Sequence, residues 1–512
     1  DTRFRLAAGA LLLASVALYI PGLLAPLWID DGLRTFSTFV APDRWWDWVL
    51  KDVHNPLYNV LMRGWIHLVG DSAIAIRLPT VACAFLAALT LASWTARRFG
   101  RWTGLLAAAV FLLNPAVILH ATMAKNGLLT VLFGVLFASL ADRLRDGPSA
   151  HRVLACAVAG FLGICTDWAF LYVLLPVVLL MGIEAAIARD RRVLTRLGVV
   201  LAVVLFAAVP LAILKLQNTE HLYRPYPRHF SLTELWVLLG NWMFWGNAIW
   251  PRVDDRVLLS SIGMVLVLPL LVAGARPLVS ARSGRLVLAL LWLPILGTLV
   301  ISAILVARAD PTQGLVFQER NLLVVVPWFC VALACGAASL RPRVLRVAVV
   351  ILVLGAITTA SILQWTIYRW QPTTYWPRPA YEHMVQAMLD DLASDPAPPG
   401  HIAGKPGEPI RAAVVCLPSL MPLRHALAHT PGTEGIDIIR AERWKLYPYD
   451  FPGFAQKRGL TRLYFLQLES HADWIGFEDH RERMERRWVV RLVAQVGETS
   501  LWRFDRRAEP AP

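Results

Sequence analysis

The acids between Trp28 and Leu57 are the residues in this chain best suited to chemistry. The stretch carries Asp30, Asp31, Asp43, Asp47 and Asp52, with Arg34, Arg44, Lys51, His54 and four tryptophans, Trp28, Trp45, Trp46 and Trp48. It follows directly on an apolar run long enough to cross a bilayer. Ionisable groups at a membrane cost desolvation energy and point to a site, and tryptophans suit the headgroup layer. A carboxylate at the mouth of a membrane cavity can serve as general base toward an acceptor hydroxyl. A neighbouring acid can tune it or hold a cation. Asp30 and Asp31 are the first candidates for these roles. The plainer reading of the pair is a helix N-cap for the segment from Gly32. Lys51-Asp52-Val53-His54-Asn55-Pro56-Leu57 adds a further acid and an imidazole. Asn55-Pro56 sets a turn or helix start, so capping and interfacial polarity account for this motif as well.

Two cations are placed to meet an anion. Lys125 stands at the outer start of an apolar span, where a cation and free backbone N–H groups can bind phosphate together. The plainer reading is a snorkelling lysine. Arg320, in Phe317-Gln318-Glu319-Arg320-Asn321, opens a later span, and its planar fork suits phosphate. An ion pair with Glu319 or Asp310 is its plainer role. Asp167, at the turn Thr166-Asp167-Trp168, reads as a cap. His221, Tyr223, Tyr226 and His229 fit a sugar or lipid pocket and equally an interfacial aromatic belt.

The elements that must position these residues are membrane helices. Of 512 residues 57% are hydrophobic and only 17% charged, with a mean hydropathy of +0.52. Apolar runs of about 20 residues match a ~30 Å hydrocarbon core, and their length excludes a barrel. The expected class is a polytopic α-helical membrane protein with about eleven spans and a small soluble α/β domain at its C-terminus. The net charge of +14 does not signal nucleic acid, because nothing in the chain matches a nucleic-acid module. Its arginines fall in short turns on alternate sides of the spans, which is the positive-inside pattern. That pattern puts the N-terminus in the cytoplasm. The acidic loop 28–72, a second aromatic loop 215–256 and the C-terminal domain then face outward. Lys51, Lys125 and Lys215 all fall at outer ends, against the inside bias. Arg3 and Arg5 before the first run, without a small-x-small cleavage site, predict a retained helix. Of the six cysteines, all but Cys416 lie in or beside apolar runs without metal-ligand spacing, as packing residues do. Residues 1–370 form the expected membrane domain and 371–512 the outer α/β domain. In the membrane domain Pro56 to Val69 shows helical spacing, and Trp102 to Leu119 reads as one span. In the outer domain Ala412–Leu417 and Thr461–Leu468 read as strands, His471–Arg487 as a helix, and Trp488–Val496 with Thr499–Phe504 as a hairpin.

Taken together these residues resemble the GT-C glycosyltransferases, specifically bacterial relatives of the protein O-mannosyltransferases and of the lipid A aminoarabinose transferase. Asp30-Asp31 is similar to the family's Asp-Glu pair after the first span. Asp52-Val53-His54-Asn55-Pro56-Leu57 is similar to its Asp-x-His-Pro-Pro-Leu. Gly70-Asp71, Arg77-Leu78-Pro79, Ala124-Lys125, and Phe317, Arg320, Asn321 and Pro327 continue the match in order across roughly residues 5 to 370. Asp31 stands for Glu, Asn55 for Pro, Lys125 for Arg, Gly127 for Tyr or Asp, and Asn321 for Tyr.

The resemblance implies transfer of a sugar from a polyprenyl-phosphate donor to a glycan, lipid or protein on the outer side of a bacterial inner membrane, with inversion. On it, Asp30 is the base, and the other catalytic residues, Asp31 and Asp52, orient the acceptor or hold a divalent cation together with His54. Lys125 and Arg320 neutralise the departing lipid phosphate, and His54, Lys51 and Tyr58 complete the substrate-binding set. The one cofactor it leaves room for is an optional divalent cation, Mg or Mn, on Asp31 and His54. Two other classes fit less of the sequence. A lipid-linked-sugar flippase needs polar residues along several mid-span positions. A catalytically inactive binding relative is compatible with Asn55, Gly127 and Asn321.

Overall fold

The computed structural model describes residues 2–24, 45–46, 49–50, 54–147, 149–217, 236, 240, 253–308, 319–368, 381–395, 400–401, 409–410, 412–416, 423, 426–427, 430–433, 436–440, 462–468, 488–496 and 499–506. The chain falls into two compact units, one of Asp1–Leu24 and Ser37–Arg369 and the other of Ala25–Phe36 and Trp370–Pro512. The first is helical. Its helices are α1 (Thr2–Leu24), α2 (Pro56–Val69), α3 (Ala73–Phe99), α4 (Arg101–Leu112), α5 (Pro115–Ala121), α6 (Gly127–Arg143), α7 (Ala150–Thr166), α8 (Leu171–Ile187), α9 (Arg191–Gln217), α10 (Val253–Ser280), α11 (Arg282–Arg308), α12 (Val326–Ser339) and α13 (Arg343–Tyr368). Among the described residues nine helices are long and apolar enough to cross a membrane, or ten if the bent pair α4–α5 counts as one span. The remaining expected span is α7. Its 17 residues extend about 25 Å, somewhat short of the bilayer core.

The segment expected as one span from Trp102 to Leu119 is broken. Helices α4 and α5 meet at 61°. The cause is Asn114-Pro115. Proline disfavours the helical conformation in the residue before it, and Asn114 is extended at φ −65°, ψ 126°. Its side chain caps α5 by accepting from the N–H groups of Ala116 and Val117. The carbonyl of Leu113 is not left bare at the break, because Ser361 of α13 donates to it at 2.7 Å. A backbone break inside a bilayer is tolerated only when such partners exist.

Packing elsewhere is close. A Cβ at Gly336 of α12 would lie 2.0 Å from the Leu270 carbonyl of α10, so these two backbones meet without a side chain between them. Arg77 of α3 is fully buried. It donates to the carbonyls of Gly22 and Leu23 at 3.1 Å each. These belong to the C-terminal end of α1, which carries partial negative charge. At the opposite end of the helices Asp142 is 1% exposed. It accepts from Trp94 at 3.0 Å, Arg98 at 2.8 Å and Ser283 at 3.0 Å. Glu184 joins the same side through Arg145 and Arg285, each at 2.8 Å. The arginines of these short turns are thus partly consumed in tying α3, α6, α8 and α11 together.

The second unit holds a five-stranded sheet of β3 (Ala412–Cys416), β4 (Ile436–Arg440), β5 (Arg462–Leu468), β6 (Trp488–Val496) and β7 (Thr499–Arg506) in the order β4-β3-β5-β7-β6. Strand β3 runs parallel to β4 and β5, and β7 runs antiparallel to β5 and β6. A short antiparallel pair, β1 (Gly400–His401) and β2 (Pro409–Ile410), precedes it. The expected strands and the terminal hairpin are present, and the helix expected at His471–Arg487 lies outside the described residues. Sequence reading missed β4, the β1–β2 pair, where Pro396 to Pro409 reads as a Pro/Gly-rich loop, and a helix, α14 (Tyr381–Ser394). Tyr381, Met384, Val385, Met388 and Leu392 recur at helical spacing and bury against Tyr464, Leu466 and Leu501 of the sheet. Arg503, 2% exposed, pairs beneath α14 with Asp391, Asp395 and Asp505.

Candidate active site

The candidate site is assembled at the end of the helical unit where α2, α6 and α8 begin. Helix α7 stops at Thr166, and Asp167 follows with extended backbone at φ −162°, ψ 149°. One carboxylate oxygen, Oδ1, accepts from the Ala169 N–H at 2.8 Å. This is the capping role the sequence suggested. The second oxygen, Oδ2, turns away to His54 Nδ1 at 3.1 Å and to the Asn126 amide. Asn126 also donates toward the Thr166 carbonyl at 3.4 Å, and its Nδ2 lies 3.2 Å from His54 Nδ1. The His54 and Asp167 side chains are 14% and 21% exposed. Burial works against the Asp167 carboxylate. The hydrogen bonds from His54, Ala169 and Asn126 outweigh it and hold its pKa below the ordinary value.

Helix α2 is set where Asn55-Pro56 predicted it, with Asn55 at the N-cap and Pro56 in the first turn. The Asn55 side chain does not cap, however. It is fully buried and donates to the Ile164 carbonyl of α7 at 2.5 Å. Lys215, near the end of α9, donates to the carbonyls of Leu50 at 3.3 Å and His54 at 3.0 Å. It therefore brackets Lys51, Asp52 and Val53. Trp45 lies under the Arg63 guanidinium of α2, 4.6 Å from the ring centre.

The sequence-derived candidates distribute as follows. His54 is in the cluster. Tyr58 is 3% exposed, and its hydroxyl shares a hydrogen bond with Thr80 of α3 at 3.1 Å. Lys125 is half-buried, immediately before Asn126 and the start of α6. Arg320 lies in a 3₁₀ turn, Glu319–Val325, that packs on α6: a Cβ at Gly127 would meet Leu323 at 3.2 Å. The segments that carry Lys125 and Arg320 are therefore neighbours. Asp30, Asp31, Lys51 and Asp52 lie outside the described residues, as do the Arg320 side chain and most of the second loop. Among the described residues no group of three or more His, Cys, Asp or Glu is placed to hold a metal ion. Sequence reading missed Asn126, the pairing of Asp167 with His54, and the anchor at Lys215. The last had a signal, a lysine at a span end that the expected inside bias leaves poor in cations.

No protein-family model matches the chain, and no curated protein matches it in sequence. Solved structures do match it in fold. ArnT from Cupriavidus metallidurans in the apo state is 12% identical, covers 96% of this chain and 97% of its own, and superposes with a TM-score of 0.59. The same protein bound to undecaprenyl phosphate gives 12% identity, the same coverage and a TM-score of 0.55. The archaeal oligosaccharyltransferase AglB from Archaeoglobus fulgidus is 10% identical, with 96% of this chain and 74% of that one covered, at a TM-score of 0.49. With its apolar helices and C-terminal sheet, the chain is a multi-pass membrane protein that shares the fold of ArnT from Cupriavidus metallidurans across nearly the whole length of both proteins.

Proposed function

We propose that the chain is a GT-C glycosyltransferase of the bacterial cytoplasmic membrane, with its N-terminus inside and its C-terminal domain outside. It moves a sugar from a polyprenyl-phosphate donor to an acceptor on the outer side, with inversion. The observation that carries this reading is the full-length likeness to ArnT, including the structure of that protein with undecaprenyl phosphate bound. The gathering of His54, Lys125, Asn126 and Asp167 at the helix ends supports it. So does the neighbouring position of the Lys125 and Arg320 segments, where two cations and the start of α6 suit a lipid phosphate.

In this reaction the acceptor oxygen attacks the anomeric carbon as the bond to the phosphate oxygen breaks. The electron pair leaves with the lipid phosphate, neutralised by Lys125 and Arg320, and the acceptor proton goes to Asp30. Asp31, Asp52, Lys51 and Tyr58 belong to the acceptor side. Asp31 and His54 would hold a divalent cation, where one is used, and it would supply charge stabilisation. The test is single-turnover transfer by the purified protein from a polyprenyl-phosphate sugar to envelope-derived acceptors, with donor binding followed separately. Asp30→Asn should bind donor normally and transfer about 10²–10⁴-fold more slowly, the range of general base catalysis. Near-normal transfer in that variant would assign the base elsewhere. Failure to bind any polyprenyl-phosphate sugar would end the reading.

A further inference from the structure

Three groups from three separate segments converge on one point. Asp167 Oδ2, His54 Nδ1 and Asn126 Nδ2 lie within hydrogen-bond distance of one another, and their donor and acceptor roles can be worked out. The Thr166 carbonyl can only accept, and it faces Asn126 Nδ2 at 3.4 Å. The carboxylate can only accept as well. The Asn126 amide therefore presents its NH₂ to both, and the flipped orientation would set its oxygen against two acceptors. His54 Nδ1 then lies 3.1 Å from a carboxylate oxygen. A lone pair on Nδ1 would repel that oxygen, whereas an N–H would satisfy it. The same Asp167 carboxylate takes the Ala169 N–H on its other oxygen, so its orientation is fixed by backbone.

We infer that Asp167, held by Asn126 and Ala169, is a positioning residue that keeps the His54 proton on Nδ1 and so leaves the Nε2 lone pair as the ring's working acceptor. The bond a histidine makes at one nitrogen determines what the other can do. In serine hydrolase triads an aspartate fixes the imidazole in this way, and replacing it by asparagine leaves the geometry intact but the tautomer wrong. Here the use of Nε2 rests on the proposed transfer: with no cation on His54, it receives the hydrogen bond of the acceptor hydroxyl and orients that oxygen toward the anomeric carbon. The tautomer itself rests on the geometry alone. A plain helix-to-helix staple between α7 and the start of α2 would need only contact, and would be indifferent to which ring nitrogen carries the proton.

The experiment is ¹⁵N NMR of the full chain labelled at histidine, with His54→Gln to assign the resonance, under conditions where the ring is neutral. The expected wild-type spectrum has a protonated Nδ1 and an unprotonated Nε2. Asp167→Asn should shift the population toward protonated Nε2 and slow transfer about 10–100-fold, as loss of an orienting partner does elsewhere, with donor affinity unchanged. A wild-type ring protonated on Nε2 would overturn the inference without any variant. So would an Asp167→Asn protein that keeps both the wild-type tautomer and the wild-type rate. A changed tautomer with an unchanged rate would overturn the use of Nε2. If the wild-type protein transfers no sugar, the proposed function fails and the spectrum still decides the tautomer.

Discussion

Lys215→Met tests whether the acidic loop is held by the helix that follows it in space but stands far from it in sequence. The substitution keeps the apolar stem and removes the ammonium. Two of its bonds go to the carbonyls of Leu50 and His54, and Lys51, Asp52 and Val53 lie between these in sequence. A hydrogen bond to a charged group contributes ~1.5–3 kcal/mol. Lys215 is half-buried, so the lower end applies and the pair is worth about 3 kcal/mol. At about 1.4 kcal/mol per factor of ten, local opening of the segment should rise roughly a hundredfold. Hydrogen exchange of the peptide from Val49 to Tyr58 should accelerate accordingly, while α6 and α12 keep their protection. Transfer should slow by a similar factor, since a displacement of about 1 Å in a positioned group can cost ~10² in rate. Unchanged exchange in that peptide would refute the anchor, whatever happens to the rate. Faster exchange with an unchanged rate would show that the residues between the two carbonyls do not need to be held.

Lys125→Met and Arg320→Met should each weaken donor binding or slow transfer by about 10²–10³, the loss seen when a charge-stabilising donor is removed; binding and rate both unchanged would return them to ordinary interfacial cations. Asp142→Asn should lower thermal stability in detergent by about 3 kcal/mol, because it leaves Arg98 and Arg145 short of a buried counter-charge. It should leave the transfer rate of the folded fraction alone, since Asp142 stands about 24 Å along α6 from Asn126. Arg503→Met should destabilise the C-terminal unit by ~3–5 kcal/mol, for Asp391, Asp395 and Asp505 would then face one another without it; proteolysis of that unit on warming, compared with wild type, reads this directly, and equal resistance would count against the network.

The amino-acid sequence by itself determined the elements. Apolar runs must be helical in lipid because every backbone group needs a partner within its own segment, so α1, α3, α9 and α13 stand where hydropathy puts them. Proline at 56 starts α2, and alternation of apolar residues marks β5, β6 and β7. These are local effects, carried by residues a few positions apart. The same locality explains the bend at Asn114-Pro115, whose signal was present but was outweighed by the hydropathy of the run. The fold also decided matters that no local pattern encodes. His54 and Asp167 are 113 residues apart in sequence, and Lys215 reaches a carbonyl 161 residues away. Asn126 and Asn55 each sit at a helix start where a side-chain cap is expected, yet both reach to α7 or to the turn that ends it. Asp142 looks in sequence like the polar end of a span and in the structure is a buried hub. In each case a polar side chain removed from water must take whatever partner the packed helices bring within about 3 Å, and that choice belongs to the tertiary structure.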